Sequence, residues 1–401
     1  MLTPREIALI KSTAPVLESR GSQITGRFYH LLFEQNPELS NVFNMGNQTS
    51  GGQQEALANA VYAFAANVDN IGALVGDVER IAQKHASIGV KPEQFPLVGA
   101  ALLQAIQEVV DPGAETIDAW AKGYGVLSNI FITREAELAQ QKAEQEGGWR
   151  AKRPFVVAAK EKESKLVTSF YLSPKDGKKV AAYQPGQYIA VSLDSLSGKH
   201  RQIRQYSLSG SNKADMYRIS VKREPNKDIA HSVSNYMHDG INVGDTLAVS
   251  NPFGDFHLQK SNRPAVLISG GVGITPMQGM LETLVAEDSN RDVHFVHGAL
   301  DSSQHSFSKR LQELSSQGRV TPHIFYENVN ENNRVWQDHH HRGRTDLTVI
   351  KDSLPLTDDA DFYLCGPLPM MKAIYVQLKA LDIAENHIFY EVFGPSKTLA
   401  S

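Results

Sequence analysis

The sequence predicts three modules in series: an all-α first third, a small antiparallel β-barrel, and an α/β region built on a parallel sheet. Three observations carry this reading. Residues 3 to about 143 show helical periodicity and no strand-like alternation. Short β-branched and aromatic runs separated by turn residues follow. Beyond Ser261-Asn262-Arg263-Pro264, apolar runs lead into helical stretches. A chain of 401 residues is too long for one ordinary core, so several domains agree with its length. The expected bounds are 1–146, 150–260 and 261–401.

Composition narrows the function classes. With 41% hydrophobic residues, 21% charged residues and a formal charge of −4 free of long like-charge runs, nothing draws the chain to nucleic acid. The N-terminus "MLTPREIALIKS" is charged where a signal peptide needs an apolar run, and no stretch of about 18 apolar residues could span a bilayer. A single cysteine, Cys365, excludes an intramolecular disulfide and any cysteine-ligated cluster, in keeping with a reducing compartment. A cytoplasmic monomer without integral membrane contact is expected.

In the first third, "SQITGRFYHLLFEQ" places Ile24, Phe28, Leu31 and Leu32 on one stripe, and "ETIDAWAKGYGVLSNIFITREAEL" repeats Ile117, Trp120, Tyr124, Leu127 and Phe131. The helix beginning near Gln53 turns that glutamine toward the side of Leu57, Val61 and Phe64. Another carries Val78, Ile81 and His85 along one face before an irregular "GVKP" exit. A lone His on such a face is ordinarily a hydrogen-bonded boundary residue.

The pattern breaks at Gly147-Gly148. The runs "PFVVAAK", "LVTSFYL", "QYIAVSL", "YRISVKR" and "DTLAVS" then read as barrel strands, punctuated by Lys175 to Gly177 and by Pro185-Gly186. "AVLISGG", "DVHFVHGAL", "RVTPHIFYE" and "DFYLCG" read as parallel strands. The stretch Asp338 to Arg344, "DHHHRGR", reads as a solvated loop, since three consecutive His cannot all face one metal. In "AVLISGGVGITPM", Gly270, Gly271 and Gly273 follow a strand directly, with Thr275 read as the N-cap and Pro276 as the first residue of a helix whose free N–H groups suit a phosphate. The motif lacks the Lys-Ser/Thr of a P-loop. Cys365-Gly366-Pro367 ends another strand before another helix, at the edge where open parallel sheets bind ligands.

Taken together, Tyr29, Pro37, Phe43, Gln53 with Leu57 a turn later, and His85 form the pattern of a globin, and the whole chain resembles the bacterial flavohaemoglobins. The resemblance implies an all-α globin, then an antiparallel β-barrel FAD domain, then an α/β NAD(P)-binding domain of ferredoxin-reductase type. It implies haem b with His85 as proximal iron ligand, Phe43 packed on the porphyrin, and Leu57 and Lys84 beside the pocket. Tyr29 and Gln53 would line the distal side, where a phenol and an amide can hydrogen-bond dioxygen. Glu135 matches the carboxylate that backs the proximal His in this family. Phe95 stands where the family usually has a tyrosine, so Glu135 would act alone or with a backbone carbonyl.

The same resemblance assigns Arg204, Gln205, Tyr206 and Ser207, preceded by Tyr188, to FAD: Arg204 on the pyrophosphate, Tyr206 stacked on the isoalloxazine, Ser207 at its N5 edge. Ser232, Val233 and Ser234 add pyrophosphate contacts, and Glu391, Val392, Phe393, Gly394 and Pro395 fold over the flavin. Gly271, Val272, Gly273, Ile274, Thr275 and Pro276 would take NAD(P)H, with Cys365, Gly366 and Pro367 beside the nicotinamide. Flavin is needed because nicotinamide gives two electrons and iron takes one. The implied activity is nitric oxide dioxygenation, with O2 and NO as the small-molecule partners. Reduction of ferric chelates, quinones or hydroperoxides, and oxygen or NO sensing, are the alternatives.

Overall fold

The computed structural model describes residues 2–43, 51–193, 201–225, 232–329, 340–356, 360–394 and 399. The chain divides into two compact units. One comprises Met1–Glu144 with Trp149–Ala151 and Ser192–Arg204, the other Gln145–Gly148, Lys152–Val191 and Gln205–Ser401.

The first unit is helical. Helix α1 (Pro4–Ser12) opens on a capping box in which the Thr3 hydroxyl accepts from the Glu6 amide while the Glu6 carboxylate accepts from the Thr3 amide. Among the described residues five further α-helices follow: α2 (Ala14–Gln35), α3 (Gly52–Ala66), α4 (Val75–Ile88), α5 (Phe95–Val110) and α6 (Ala114–Glu144). The α2 stripe expected from its periodicity, Ile24, Phe28, Leu31 and Leu32, is buried, and it joins Ile10, Leu17, Phe64, Leu102, Ile106 and Trp120 in one core. At the centre of that core the Trp120 indole N–H donates to the Thr13 hydroxyl at 3.2 Å, and its ring lies 5.8 Å from that of Phe64. A buried indole keeps a partner because an orphaned N–H would forfeit its hydration. Helix α4 ends where Gly89 adopts φ 80° and returns its N–H to the His85 carbonyl.

An antiparallel six-stranded sheet comes next, formed by β1 (Lys152–Lys162), β2 (Val167–Pro174), β3 (Tyr188–Leu193), β4 (Gln202–Ser207), β5 (Tyr217–Lys222) and β6 (Thr246–Ser250), in the order β4-β3-β6-β1-β2-β5. The expected strands are all present. Closure is looser than a barrel implies: the ladder is open between β4 and β5, spanned there by one isolated bridge, Leu208 to Ile219. Buried Phe155, Phe170, Tyr217, Ile219 and Val249 fill its interior.

The second sheet is parallel, with β7 (Ala265–Gly270), β8 (Val293–Ala299), β9 (Thr321–Tyr326), β10 (His340–Arg342), β11 (Asp361–Cys365) and β12 (Ile388–Glu391) in the order β10-β9-β8-β7-β11-β12. Helices α8 (Ile274–Ala286) and α9 (Ser308–Ser316) follow β7 and β8, and α11 (Leu368–Ala380) follows β11; two short helices, α7 (Val233–Asp239) and α10 (Leu347–Ile350), complete the set. Strands β7 and β11 are buried throughout, as expected when helices cover both faces. One expectation fails here. Of the histidine-rich stretch read as a solvated loop, His340 to Arg342 form edge strand β10, with the His341 ring stacked 4.8 Å from Phe325; Asp338 and His339 lie outside the described residues. No helix among the described residues is long and apolar enough to cross a membrane.

Candidate functional site

His85 lies in the last turn of α4, its ring 6.0 Å from that of Phe95 and 5.8 Å from that of Phe131, which stack on each other at 6.4 Å. Its Nδ1 meets Glu135 Oε1, from α6, at 2.7 Å. A neutral imidazole bonded this way carries its proton on Nδ1 and leaves Nε2 with the lone pair a metal needs. The simplest alternative role for Glu135 was pairing with adjacent Arg134. Arg134 instead grips Glu79 of α4 through two nitrogens, at 2.7 and 3.1 Å, and also reaches Glu137. The Arg134 guanidinium holds the Glu79 carboxyl below its ordinary range, against the opposing effect of burial. This Glu79–Arg134 clamp was missed in the sequence, although both residues lie in helices whose registers were legible. Phe95 makes no polar contact with His85 through its ring; its carbonyl accepts from the Tyr124 hydroxyl at 2.7 Å. So Glu135 alone backs the imidazole among the described residues.

On the other side of the core, Tyr29 is buried in α2 and belongs to an aromatic group with Phe28, Phe33 and Phe43 at centroid spacings of 4.7 to 6.1 Å. Phe43 and Leu57 are half-buried against the same core. Gln53 sits in the first turn of α3, one turn before Leu57, and its Oε1 is buried with no hydrogen-bond partner among the described residues. A buried amide oxygen left without a donor costs about 1–3 kcal/mol, and a ligand that donates to it would recover that cost. The orphaned amide, the aromatic group and the carboxylate-backed imidazole fit a haem pocket. Lys84 is half-buried beside His85.

In the flavin region, Arg204 and Tyr206 are both half-buried on β4, while Gln205 between them is exposed and Ser207 is buried. The alternation matches the shared face predicted for Arg204 and Tyr206. Arg204 is held by the Ile203 carbonyl at 2.8 Å and the Gln202 amide oxygen at 3.2 Å, which fixes its guanidinium beside the strand. Tyr188 starts β3, buried. Ser232 caps α7: its hydroxyl accepts from the Asn235 amide and donates to Glu224. The same hydroxyl also lies 3.0 Å from that of Ser234, so both serines are engaged within this turn. Glu391 ends β12, paired in register with Cys365; Val392, Phe393 and Gly394 follow, Phe393 exposed, while Pro395 lies outside the described residues.

The glycine loop departs from the expected cap. Gly271 to Gly273 wind as a 3-10 turn straight into α8, so the helix begins at Ile274 and Thr275 is already inside it, its hydroxyl donating to the Val272 carbonyl at 3.0 Å. Pro276 accordingly stands beyond the first helical position. The loop crosses the end of β11 so closely that a methyl on Gly273 would sit 2.3 Å from the Cys365 carbonyl oxygen. Gly366 and Pro367 continue that strand end. Burial and the neighbouring Glu391 push the Cys365 thiol well above its ordinary range, so the sulfur stays protonated.

These arrangements define a class: an oxidoreductase that joins a haem-binding helical unit to flavin- and nicotinamide-binding sheets. Family models agree part by part. A globin model matches residues 26–131, an oxidoreductase FAD-binding domain 154–258, and an oxidoreductase NAD-binding domain 267–375. The flavohemoprotein of Bacillus thuringiensis subsp. konkukian (strain 97-27) is 44% identical over 402 residues, covering 100% of both chains. The flavohemoglobin of Malassezia yamatoensis, solved with bound FAD and heme, superposes with a TM-score of 0.83 at 26% identity, over 98% of this chain and 100% of that one. The FAD/NAD-binding part of the nitric oxide dioxygenase of Vibrio cholerae O1 biovar El Tor gives 0.56 at 40% identity, over 61% of this chain and 100% of that one. The chain belongs to the flavohemoprotein family, and its cofactors are haem, FAD and a nicotinamide dinucleotide.

Proposed function

We propose that this chain is a nitric oxide dioxygenase, making nitrate from NO and O2 with electrons from NAD(P)H, its haem, FAD and nucleotide parts falling at 1–146, 150–260 and 261–401. Each nitrate takes one NO, one O2 and one electron, so one hydride serves two nitrates and releases a proton. Bound haem supplies the iron where the gases meet, and bound FAD divides a hydride's electron pair into single electrons.

The residues do the rest. His85 would offer Nε2 to the iron while Glu135 accepts a hydrogen bond from Nδ1–H, fixing the tautomer and enriching the ring. Tyr29 and Gln53 offer a phenol and an amide to orient dioxygen; Phe43 and Leu57 keep water out, and Lys84 adds positive charge beside the proximal ligand. Arg204 would take the pyrophosphate of FAD with help from Ser232 to Ser234, Tyr206 would stack on its ring near Tyr188, and Gln205, Ser207 and Glu391 to Gly394 would border it. Gly271 to Pro276 receive the nucleotide, and Cys365 to Pro367 the nicotinamide.

The observation that carries this reading is the 2.7 Å bond from His85 to Glu135. A carboxylate behind the imidazole makes it electron-rich, which suits oxygen activation better than reversible carriage. The 40% identity to a reductase part from a nitric oxide dioxygenase agrees. The test is NO removal by haem- and FAD-loaded protein with NADH and O2, followed as nitrate. Expected is turnover that stops without O2 and falls about a hundredfold in Tyr29→Phe. Equal rates in native protein and Tyr29→Phe would overturn it. NADH-driven reduction of ferric chelates that persists in His85→Ala, without NO removal by native protein, would favour the broader reductase reading.

A further inference from the structure

Helix α8 carries the proposed phosphate-binding turn at its amino end, and β4 carries the proposed flavin residues. Where the two elements meet, the fit is made by an absent side chain. A methyl on Gly279 would lie 2.3 Å from the Leu208 carbonyl oxygen and 3.4 Å from that of Gly210. Gly279 has ordinary helical neighbours, so nothing in the helix itself demands glycine; the demand comes from the strand it presses on.

Leu208 is the residue directly after Arg204-Gln205-Tyr206-Ser207. Its backbone cannot give way easily. The Leu208 N–H donates to the Gln187 carbonyl at 2.9 Å, Leu208 bridges to Ile219, and the Ser209 N–H donates to the Arg218 carbonyl at 2.8 Å.

The contact is one point on a docked stripe. One turn further along α8, the Thr283 hydroxyl accepts from the Asn212 backbone N–H at 3.2 Å and donates to the Gly279 carbonyl at 2.9 Å. Glu282 stands 3.7 Å from Arg218 of β5 and is itself gripped by Arg310 of α9 at 3.0 Å. Glu287 reaches Lys213 at 3.1 Å. Positions 279, 282, 283 and 287 share one helical face, so that face is held at four levels by the connection that follows β4 and by Arg218 of β5, while the amino end of the same helix carries the proposed nucleotide turn.

We propose that Gly279 is a positioning residue for hydride transfer: by letting α8 rest on the Leu208 carbonyl, it sets the distance between bound nicotinamide and the flavin. Restoring an ordinary contact around a methyl there moves helix and strand apart by about 1 Å, a misplacement that costs on the order of a hundredfold when two reacting atoms must meet. The inference rests on the nicotinamide-to-flavin part of the proposed function and not on NO.

The test compares Gly279→Ala with native full-length holoprotein by anaerobic stopped flow, reading flavin bleaching per bound FAD across NADH concentrations. Expected is a ten- to hundredfold loss of the saturating rate with NADH half-saturation, FAD content and haem content unchanged. A second readout is independent of catalysis: amide hydrogen exchange at residues 208–213 should quicken in the variant, because the Asn212 N–H loses its fixed acceptor. A per-flavin rate within twofold of native, or a loss confined to FAD content and thermal midpoint, overturns the proposal. Should Gly279→Ala give no soluble protein, Thr283→Val decides: it removes the Asn212 tether without adding bulk, a two- to tenfold slower saturating rate is expected, and an unchanged one overturns the proposal. Native protein that neither NADH nor NADPH can bleach would instead refute the nucleotide reading itself.

Discussion

Glu135 Oε1 lies 2.7 Å from His85 Nδ1, while Arg134, the residue before Glu135, turns aside to grip Glu79. The carboxylate is thereby kept for the imidazole.

Glu135→Gln keeps an acceptor near Nδ1 and removes its charge. The imidazole becomes a weaker donor, so the haem reduction potential rises and turnover with NADH falls about ten- to a hundredfold. Spectroelectrochemistry and the iron–histidine stretching frequency, which should drop, check this together. An unmoved frequency would show that the carboxylate does not tune the ring.

Glu79→Gln breaks the clamp between α4 and α6. Both partners are about a third exposed, at 32% and 30%, so the stability loss at neutral pH stays under about 1 kcal/mol. The sign with pH is fixed by the lowered carboxyl of Glu79. Its stabilisation is complete above the ordinary value of 4.5 and is lost as pH falls below it. Urea midpoints taken from neutral to acid pH should therefore converge between native and variant protein below pH 4.5.

His297 is fully buried on β8, its Nδ1 2.9 Å from the Ser269 hydroxyl, and its ring lies 4.7 Å from that of buried His305, which bonds the Tyr326 hydroxyl. Burial lowers His297 from 6.5 to about 3, and burial with the neighbouring imidazole lowers His305 as well. The unfolded chain binds protons that the folded one refuses. For His297 stability is thus full above pH 6.5 and falls as pH drops from there toward 3, by about 1.4 kcal/mol per unit, and His305 acts in the same direction. His297→Gln should flatten the urea midpoint against pH between 6 and 4. An unchanged slope would mean that other groups take up the acid protons.

Cys365 is buried and protonated. Iodoacetamide at mildly alkaline pH should label it at least about a hundredfold more slowly than a free thiol, and at the free rate after urea, by mass spectrometry. Rapid labelling of native protein would place the sulfur at the surface.

Local pattern was enough for the helices, because Ile24, Phe28, Leu31 and Leu32 recur at the helical period and all became core. It was enough for the strands that hold apolar runs. It failed at β10, where His340 to Arg342 carry no apolar run and are strand only because β9 offers an edge to pair with. It failed for Thr275, since a glycine turn can wind directly into a helix and make the cap unnecessary. The choice between Arg134 and His85 as partner of Glu135 was not legible either. Both partners, His85 for Glu135 and Glu79 for Arg134, lie on α4 and become neighbours of α6 only once the two helices have packed.

The indole of Trp120 has one more use. Sealed in the helical core, with its N–H on Thr13 and its ring near Phe64, it is a built-in lamp for that unit. Its emission should dim by energy transfer when haem is captured and recover as haem is released. With Trp149 and Trp336 changed to Phe, so that Trp120 is the single emitter left, loss of the prosthetic group can be timed optically with no label attached.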